Sequence, residues 1–403
     1  MDPNLGRPHW PRAAGELGLY PPLASDSHCE VAIVGAGIAG ALLAWQLSTA
    51  GFDVMVLDRR DVGTGSTAAS TGMLQFELDT HLVDLIRLHG VSTAQSVYRS
   101  CAHAIDSLQA LDRALGQPAR CEARHSLYCA TRRWHAVALR REAQARRAIG
   151  LEVETLDRAA LRERFGLSAQ LALLSRPAAQ IDPYRLVHAL LAACHQRGVR
   201  IHDRTAVIAP PEPRSDGQWV LRTDRDGRVL ARQVVLAAGF ESRDLVPGLP
   251  PCTVRSSYAF ISEPLVLPEP FLRTLVWETA RPYLYFRPVG ADRLMVGGAD
   301  DPLDTANRRD RRLPSKARIL LKRMQQWLPR LDLELGSAWA GTYSESHDGL
   351  PFIGPLARCP GLYVVMALGG NGLVYSQLAG ELLLAWLRDQ PHPLAHAFRL
   401  VRP

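Results

Sequence analysis

The sequence predicts an α/β fold in which a mostly parallel, helix-covered sheet is joined to a second domain of antiparallel strands (α+β). Two stretches predict the first part. Cys29 to Val34 is a short β-prone run that ends at Gly35, and after Gly40 the pattern turns helical through Leu42, Leu43, Trp45 and Leu47. A second β run, Val54 to Leu57, then closes a β-α-β unit on Asp58. The antiparallel part is predicted by strand-like runs over 256–263, 282–288 and 293–299, with helical patterns over 102–114 and 133–150. At 403 residues the chain has room for two domains with sizeable cores.

Residues 1–27, ahead of this unit, are rich in Pro, Gly and small side chains, with Trp10, Tyr20 and the pair Pro21-Pro22. They are expected to form an irregular lead-in on the surface. In the turn Gly35-Ala36-Gly37-Ile38-Ala39-Gly40 each glycine has a task. Gly35 permits the tight turn out of the strand, Gly37 lets the backbone approach a pyrophosphate, and Gly40 lets the helix pack closely on the sheet. The helix start adds free N–H groups and a partial positive charge. Asp58 at the end of the second strand can accept hydrogen bonds from ribose hydroxyls, and an acid there disfavours a 2′-phosphate. The turn points to a dinucleotide and does not by itself separate NAD from FAD.

Composition narrows the class. Apolar residues make up 47% and charged residues 22%, ordinary for a globular protein. The most apolar stretch, 361–386, is broken by Gly369, Gly370, Asn371 and Gly372, so no spanning helix is expected. Met1-Asp-Pro-Asn lacks the basic-then-apolar pattern of a signal peptide, which makes a cytoplasmic location the default expectation. The 7 cysteines form no Cys-x-x-Cys and no metal-ligand spacing, so buried or free thiols and no metal site are expected. The formal charge of +7 is carried almost wholly by arginine, Lys316 and Lys322 being the only lysines. Its densest run, Arg132 to Arg147, has helical spacing and alternates with Ala and Leu. That reads as a solvated helix face rather than a nucleic-acid surface.

Three further segments separate the cofactors. Gly63-Thr-Gly65-Ser66-Thr67-Ala-Ala-Ser70-Thr71-Gly72 follows the β-α-β unit, and its small hydroxylated residues suit close approach to phosphate and ribityl oxygens. Val234-Val-Leu-Ala-Ala238-Gly239 is a buried strand ending in glycine. Near the C-terminus, 348–355 (Asp348-Gly349-Leu-Pro) and 361–372 (ending Gly369-Gly370-Asn371-Gly372) lead into an apolar helix that begins at Leu373. Together with the glycine turn these segments resemble the D-amino-acid oxidase superfamily of flavoenzymes, which includes glycine oxidase and sarcosine oxidase, and here a bacterial branch of it. The resemblance covers the chain from about residue 28 to its end.

The resemblance implies non-covalent FAD in a Rossmann-like domain of the glutathione-reductase type. It adds Ile38, Ala39, Arg59, Met73, Leu74 and Val207 to the cofactor contacts, Val207 through its backbone to adenine. The glycine-rich turn at 369–372 would supply N–H donors to the negative charge that builds near N1 and C2=O of a reduced flavin. The FAD domain is expected over 28–85, 150–247 and 337–403, and the substrate-binding domain over 86–149 and 248–336.

The implied chemistry is oxidation of a C–N bond in an amine or an amino or imino acid, by hydride transfer to flavin N5 and hydrolysis of the imine. O2, a quinone or another carrier would accept the electrons. Tyr343 aligns with the family's carboxylate-binding arginine and Gly370 with a second arginine, and neither can pair bidentately with a carboxylate. Arg281 and Arg287 are candidates to compensate from the capping sheet, with a structural ion pair as the alternative for either. Met295 stands where sarcosine oxidases carry an oxygen-activating lysine. Other candidates are Gln75 and Glu77 near the substrate amine, with a surface or capping role as the alternative for Glu77. His347 is a candidate proton relay or a structural histidine. Tyr258, Tyr283 and Tyr285 either cap the flavin face or pack as aromatic core. Two competing readings stand beside this one, a tRNA wobble-uridine oxidoreductase and a non-catalytic flavin-binding subunit of a larger dehydrogenase.

Overall fold

Two sheets carry the fold in the computed structural model, which describes residues 3–15, 17–302 and 305–402. In the first, of eight strands, Ser27–Val34 lies in parallel between Arg228–Leu236 and Val54–Leu57. Leu362–Met366 and Arg200–His202 extend the parallel run on either side, and Phe352–Pro355 closes one edge antiparallel. Val31 to Val34 and Val54 to Leu57 are buried throughout, as expected for parallel strands covered on both faces. Helices Ile38–Thr49, Pro183–Gln196 and Gly372–Leu387 pack on one another beside this sheet. Asp182 caps the second of them, accepting the Tyr184 and Arg185 amides at 3.0 Å each, with Pro183 in the first turn.

The second sheet has ten strands. Its order runs Asn4–Gly6, Leu335–Glu345, Thr253–Ser262, Arg293–Asp301, Leu284–Val289, Thr274–Glu278, Glu122–Ala130, Leu171–Gln180, Met73–Gln75. Glu152–Asp157 also pairs with Leu171–Gln180. The expected cap strands appear at 253–262, 284–289 and 293–301, and the helices at Val91–Ala114 and Arg133–Ala148. Four strands sit elsewhere than expected. Met73–Gln75, Glu152–Asp157, Leu171–Gln180 and most of Leu335–Glu345 fall within the segments assigned to the cofactor domain, yet they belong to the ten-stranded sheet. Their apolar pattern suits either sheet, and pairing partners far away in sequence decide which one they join.

The lead-in is also corrected. Asn4–Gly6 pairs with Leu335–Glu345, and helix His9–Ala14 buries Trp10 at 5% exposure among Tyr184, Met295 and Trp339. The indole donates to Ser70 O at 2.6 Å, and the Arg287 guanidinium stands 4.9 Å from its ring. Met295 is wholly buried in this cluster. Among the described residues no helix is long and apolar enough to cross a membrane.

Trp10→Ala is expected to lower stability by about 3–5 kcal/mol, the usual cost of emptying a large buried aromatic site. Denaturant unfolding measures it, and a loss below about 1 kcal/mol would show that the lead-in contributes no core.

Candidate active site

The dinucleotide turn is built around contacts too close for side chains. Gly35 has φ +115°, and a Cβ there would lie 2.6 Å from Ala237 O. A Cβ on Gly40 would lie 1.8 Å from Gly35 O, so the helix and the strand end touch through bare backbone. Asp58 accepts the Ala36 amide at 2.6 Å and the Arg60 amide at 2.8 Å, one on each oxygen, which leaves lone pairs for a sugar hydroxyl. Burial pushes its carboxyl up, against the pull of those two amides. The Ile38 amide bonds Thr67 Oγ1 at 3.0 Å, joining the turn to the next cofactor segment. Arg59 is exposed and paired with Glu241, which also takes Arg60 at 3.0 Å. Val207 forms an isolated bridge with Thr223. The ladder bonds there use Ala206 O and Ile208 N, so the amide and carbonyl of Val207 point the other way, as an adenine contact requires.

Residues 63–72 have their carbonyls taken from outside. Asn4 Nδ2 donates to Thr64 O and Gly65 O at 2.7 and 2.8 Å, and Trp339 Nε1 to Ala69 O at 2.9 Å. Trp10 holds Ser70 O, and Arg287 Nε donates to Thr71 O at 2.5 Å. Ser66 Oγ donates in turn to Thr342 O at 2.8 Å. Arg287, expected among the catalytic candidates, is therefore a positioning residue. It is 2% exposed, its other donors go to Pro288 O and Ile181 O, and it lines no part of the cavity. Burial pulls its pKa down to about 9, still high enough for a charged guanidinium at neutral pH.

A cavity of about 270 Å³ opens beside this segment. Ile38, Ser66, Thr67, Ser70, Thr71 and Met73 line it on one side, and Gly239 and Gly369 to Leu373 on the other. Helix Gly372–Leu387 starts at its wall. Asn371 Nδ2 donates to Gln75 O at 3.1 Å and to Glu77 O at 3.0 Å, fixing the glycine turn to the strand opposite. Gln75 and Tyr285 line the cavity as expected, Gln75 with its amide on Ser126 Oγ at 2.9 Å. Leu74 does not. It is fully buried in the core, because alternate residues of Met73–Gln75 face opposite ways. Tyr258, Tyr283 and Tyr285 all line the cavity, and Tyr258 is also wholly buried. The bare-backbone cradle, the glycine turn at the cavity wall and the free lone pairs of Asp58 fit an FAD, which these residues would hold.

Tyr343 lies between this cavity and an outer chamber of about 640 Å³, together with Asp79, Tyr283 and Asp300. Its hydroxyl donates to Asp300 Oδ2 at 3.0 Å, and Tyr283 donates to Asp79. Burial pushes both carboxyls up, and the Tyr343 phenol with them. Glu77 lines the cavity at 3% exposure, with the Arg146 guanidinium at 3.7 Å, which corrects the surface alternative. His347 and Gly349 line only the outer chamber, where His347 is exposed and Gly349 abuts Thr80. Gly349 thus stands away from the cofactor contacts expected of it. Arg281 stacks on Tyr283 and lies 3.9 Å from Asp79, at the outer side. Sequence reasoning missed Asp300; the signal was a carboxylate directly after Gly297-Gly298-Ala299 at a strand end. For Asn4 and Trp10 no local signal existed.

A family model for FAD-dependent oxidoreductases (DAO) matches residues 30–386. Glycine oxidase of Geobacillus kaustophilus (strain HTA426) is 26% identical over 366 residues, 88% of this chain and 91% of that protein. The crystal structure of glycine oxidase from Geobacillus kaustophilus has the same fold, with a TM-score of 0.77 at 24% identity over 93% of this chain and 99% of that one. The tRNA 5-methylaminomethyl-2-thiouridine biosynthesis bifunctional protein MnmC of Verminephrobacter eiseniae (strain EF01-2) is 28% identical over 446 residues, 97% of this chain and 65% of that protein. The chain also spans 38% of the putative Rieske 2Fe-2S iron-sulfur protein YhfW of Bacillus subtilis (strain 168), at 28% identity over 202 residues, 50% of this chain. Parts of both of these last two proteins thus have no counterpart here.

Gly40→Ala is expected to force the helix off the strand end and to weaken FAD retention at least about tenfold, a loss on the scale of one displaced phosphate-binding turn. Flavin content of the purified variant and fluorescence titration with FAD check this. Asp348 forms a two-pronged pair with Arg402, at 2.6 and 2.8 Å. Burial works to raise the Asp348 carboxyl, and Arg402 more than offsets it, so the folded pKa lies below the ordinary value. The pair's stabilisation is then present above the unfolded pKa of about 4 and lost as pH falls through the folded value. Acid unfolding of Asp348→Asn should be correspondingly flatter in that window.

Proposed function

The chain belongs to the DAO family of FAD-dependent oxidoreductases, and on that premise we propose that it oxidises a C–N bond of a small amine or amino or imino acid. The observation that carries the proposal is the single cavity running from Ile38 and Thr67, at the dinucleotide turn, to Tyr343 and Asp79 at the outer chamber. When bound, FAD supplies the two-electron acceptor for the hydride of the carbon next to nitrogen. The chain's part is to hold and orient. Residues 66–73 and 369–373 would hold the cofactor, while Gln75, Tyr285 and Tyr343 line the same cavity and would orient the substrate. The Tyr343 hydroxyl is aimed by Asp300 and can accept a hydrogen bond from a substrate nitrogen. Asp79 and Asp300, raised by burial, can take the proton that an ammonium sheds before it is oxidised. The imine then leaves for water, where it hydrolyses.

The similarity to MnmC, over 97% of this chain, supports a second reading in which the amine is a side chain of a modified uridine in tRNA. Against it, many of the arginines that carry the positive charge face acids at short range, among them Arg200 with Asp53, Arg228 with Asp26 and Arg164 with Glu154. A tRNA gel shift that persists at physiological salt would favour this reading.

Purified protein is expected to be yellow with bound FAD, and anaerobic mixing with amines, N-methyl amines, D-amino acids and imino acids should bleach the flavin with at least one of them. A protein that takes up no FAD on reconstitution would overturn the proposal. The rate of recolouring in air tells O2 from a quinone or other carrier as acceptor.

A further inference from the structure

We propose that the substrate is a di- or polyamine, an amine whose second nitrogen is also cationic and which carries no carboxylate, seated by Asp79 and Asp300. This rests on the amine-oxidation reading above and specifies its substrate. No Lys, Arg or His lines the inner cavity among the described residues, whereas Glu77, Asp79 and Asp300 do. A carboxylate substrate would meet three acids and no counter-charge there, and burying it would cost several kcal/mol. Asp79 and Asp300 also line the outer chamber, so both stand where the two spaces meet.

Cations meet these acids only at long range, Arg146 at 3.7 Å from Glu77 and Arg281 at 3.9 Å from Asp79. Asp300 takes hydroxyls, from Tyr343 at 3.0 Å and from Ser257, and its Oδ1 has no hydrogen-bond partner. At Asp79 the partners are the Tyr283 hydroxyl and the Gly370 amide, with Arg281 no nearer than 3.9 Å. Glu77, at 3% exposure, meets the Ser126 and Ser175 hydroxyls, and its one cation, Arg146 at 3.7 Å, is shared with Glu142. Buried acceptors left without donors are costly unless a ligand completes them. The arginines of the outer chamber do not supply a carboxylate site, because Arg255 is bonded to Glu345 and Arg281 lies over the Tyr283 ring. The aromatic lining, Trp277 with Tyr283 and Tyr285, suits an alkyl chain and an ammonium over ring faces.

The test compares three molecules of one length on the FAD-loaded enzyme under anaerobic conditions: 1,4-diaminobutane, 4-aminobutanoate and butylamine. Flavin reduction by the diamine is expected to be at least about 100-fold more efficient than by 4-aminobutanoate and about tenfold more than by butylamine, the range of one or two charge-assisted hydrogen bonds. Asp300→Asn should collapse the diamine-to-butylamine ratio toward one. Should that variant fail to fold, the wild-type ranking decides alone. Reduction by 4-aminobutanoate, or by the α-amino acids glycine and proline, faster than by the diamine overturns this proposal and leaves amine oxidation standing. Reduction by none of these compounds, nor by spermidine, overturns both.

Discussion

Every part of the molecule meets at the carbonyls of residues 64–71. They are claimed by Asn4 and Trp10 from the lead-in, by Trp339 from the ten-stranded sheet, and by Arg287 from another strand of it. A buried indole N–H or guanidinium has to find an acceptor, at a cost of about 1–3 kcal/mol when it does not. Each donor therefore pins this segment as firmly as the segment pins the donor. With the carbonyls turned outward, Thr67, Ser70 and Thr71 line the cavity, where their hydroxyls would meet phosphate and ribityl oxygens, while Ser66 spends its proton on Thr342 O.

That junction also explains what the sequence discloses and what it hides. The β-α-β unit is legible because its glycines answer to local sterics: no residue with a Cβ fits at Gly40 against Gly35 O, and the neighbours that impose this lie within a few positions. Trp10 is not, since its partner Ser70 O lies beyond the whole β-α-β unit and nothing local marks it. Arg287 looked like a substrate clamp because an arginine's identity says nothing about whether it will find a carboxylate or three carbonyls. Sheet membership of Glu152–Asp157 and Leu171–Gln180 was illegible because an apolar alternation fits any partner.

The chemistry of the cavity is set by a change of sign. Where relatives in this family are expected to hold a carboxylate with arginine, Tyr343 turns its hydroxyl onto Asp300, and Asp79 faces the same opening. Two acids at one entrance repel each other and resist burial. Holding them there needs rigid support, which the Tyr283 and Ser257 hydroxyls and the Gly370 amide supply. The region is thus tied to the same glycine turn that faces the cofactor. A change at Asp79 will be felt at Gly370, and through Asn371 at Gln75 and Glu77.

The pairing of Asn4–Gly6 with Leu335–Glu345 bears on how the chain is made. Asn4–Gly6 finds its partner only once residues 335–345 have been synthesised, and Arg228–Leu236 likewise waits for Leu362–Met366. Pairings of such long sequence separation form slowly and leave early segments waiting. The Trp10 side chain and the bare edge of Arg228–Leu236 spend that interval uncovered, so chaperone demand during synthesis should exceed what a chain with local topology would need.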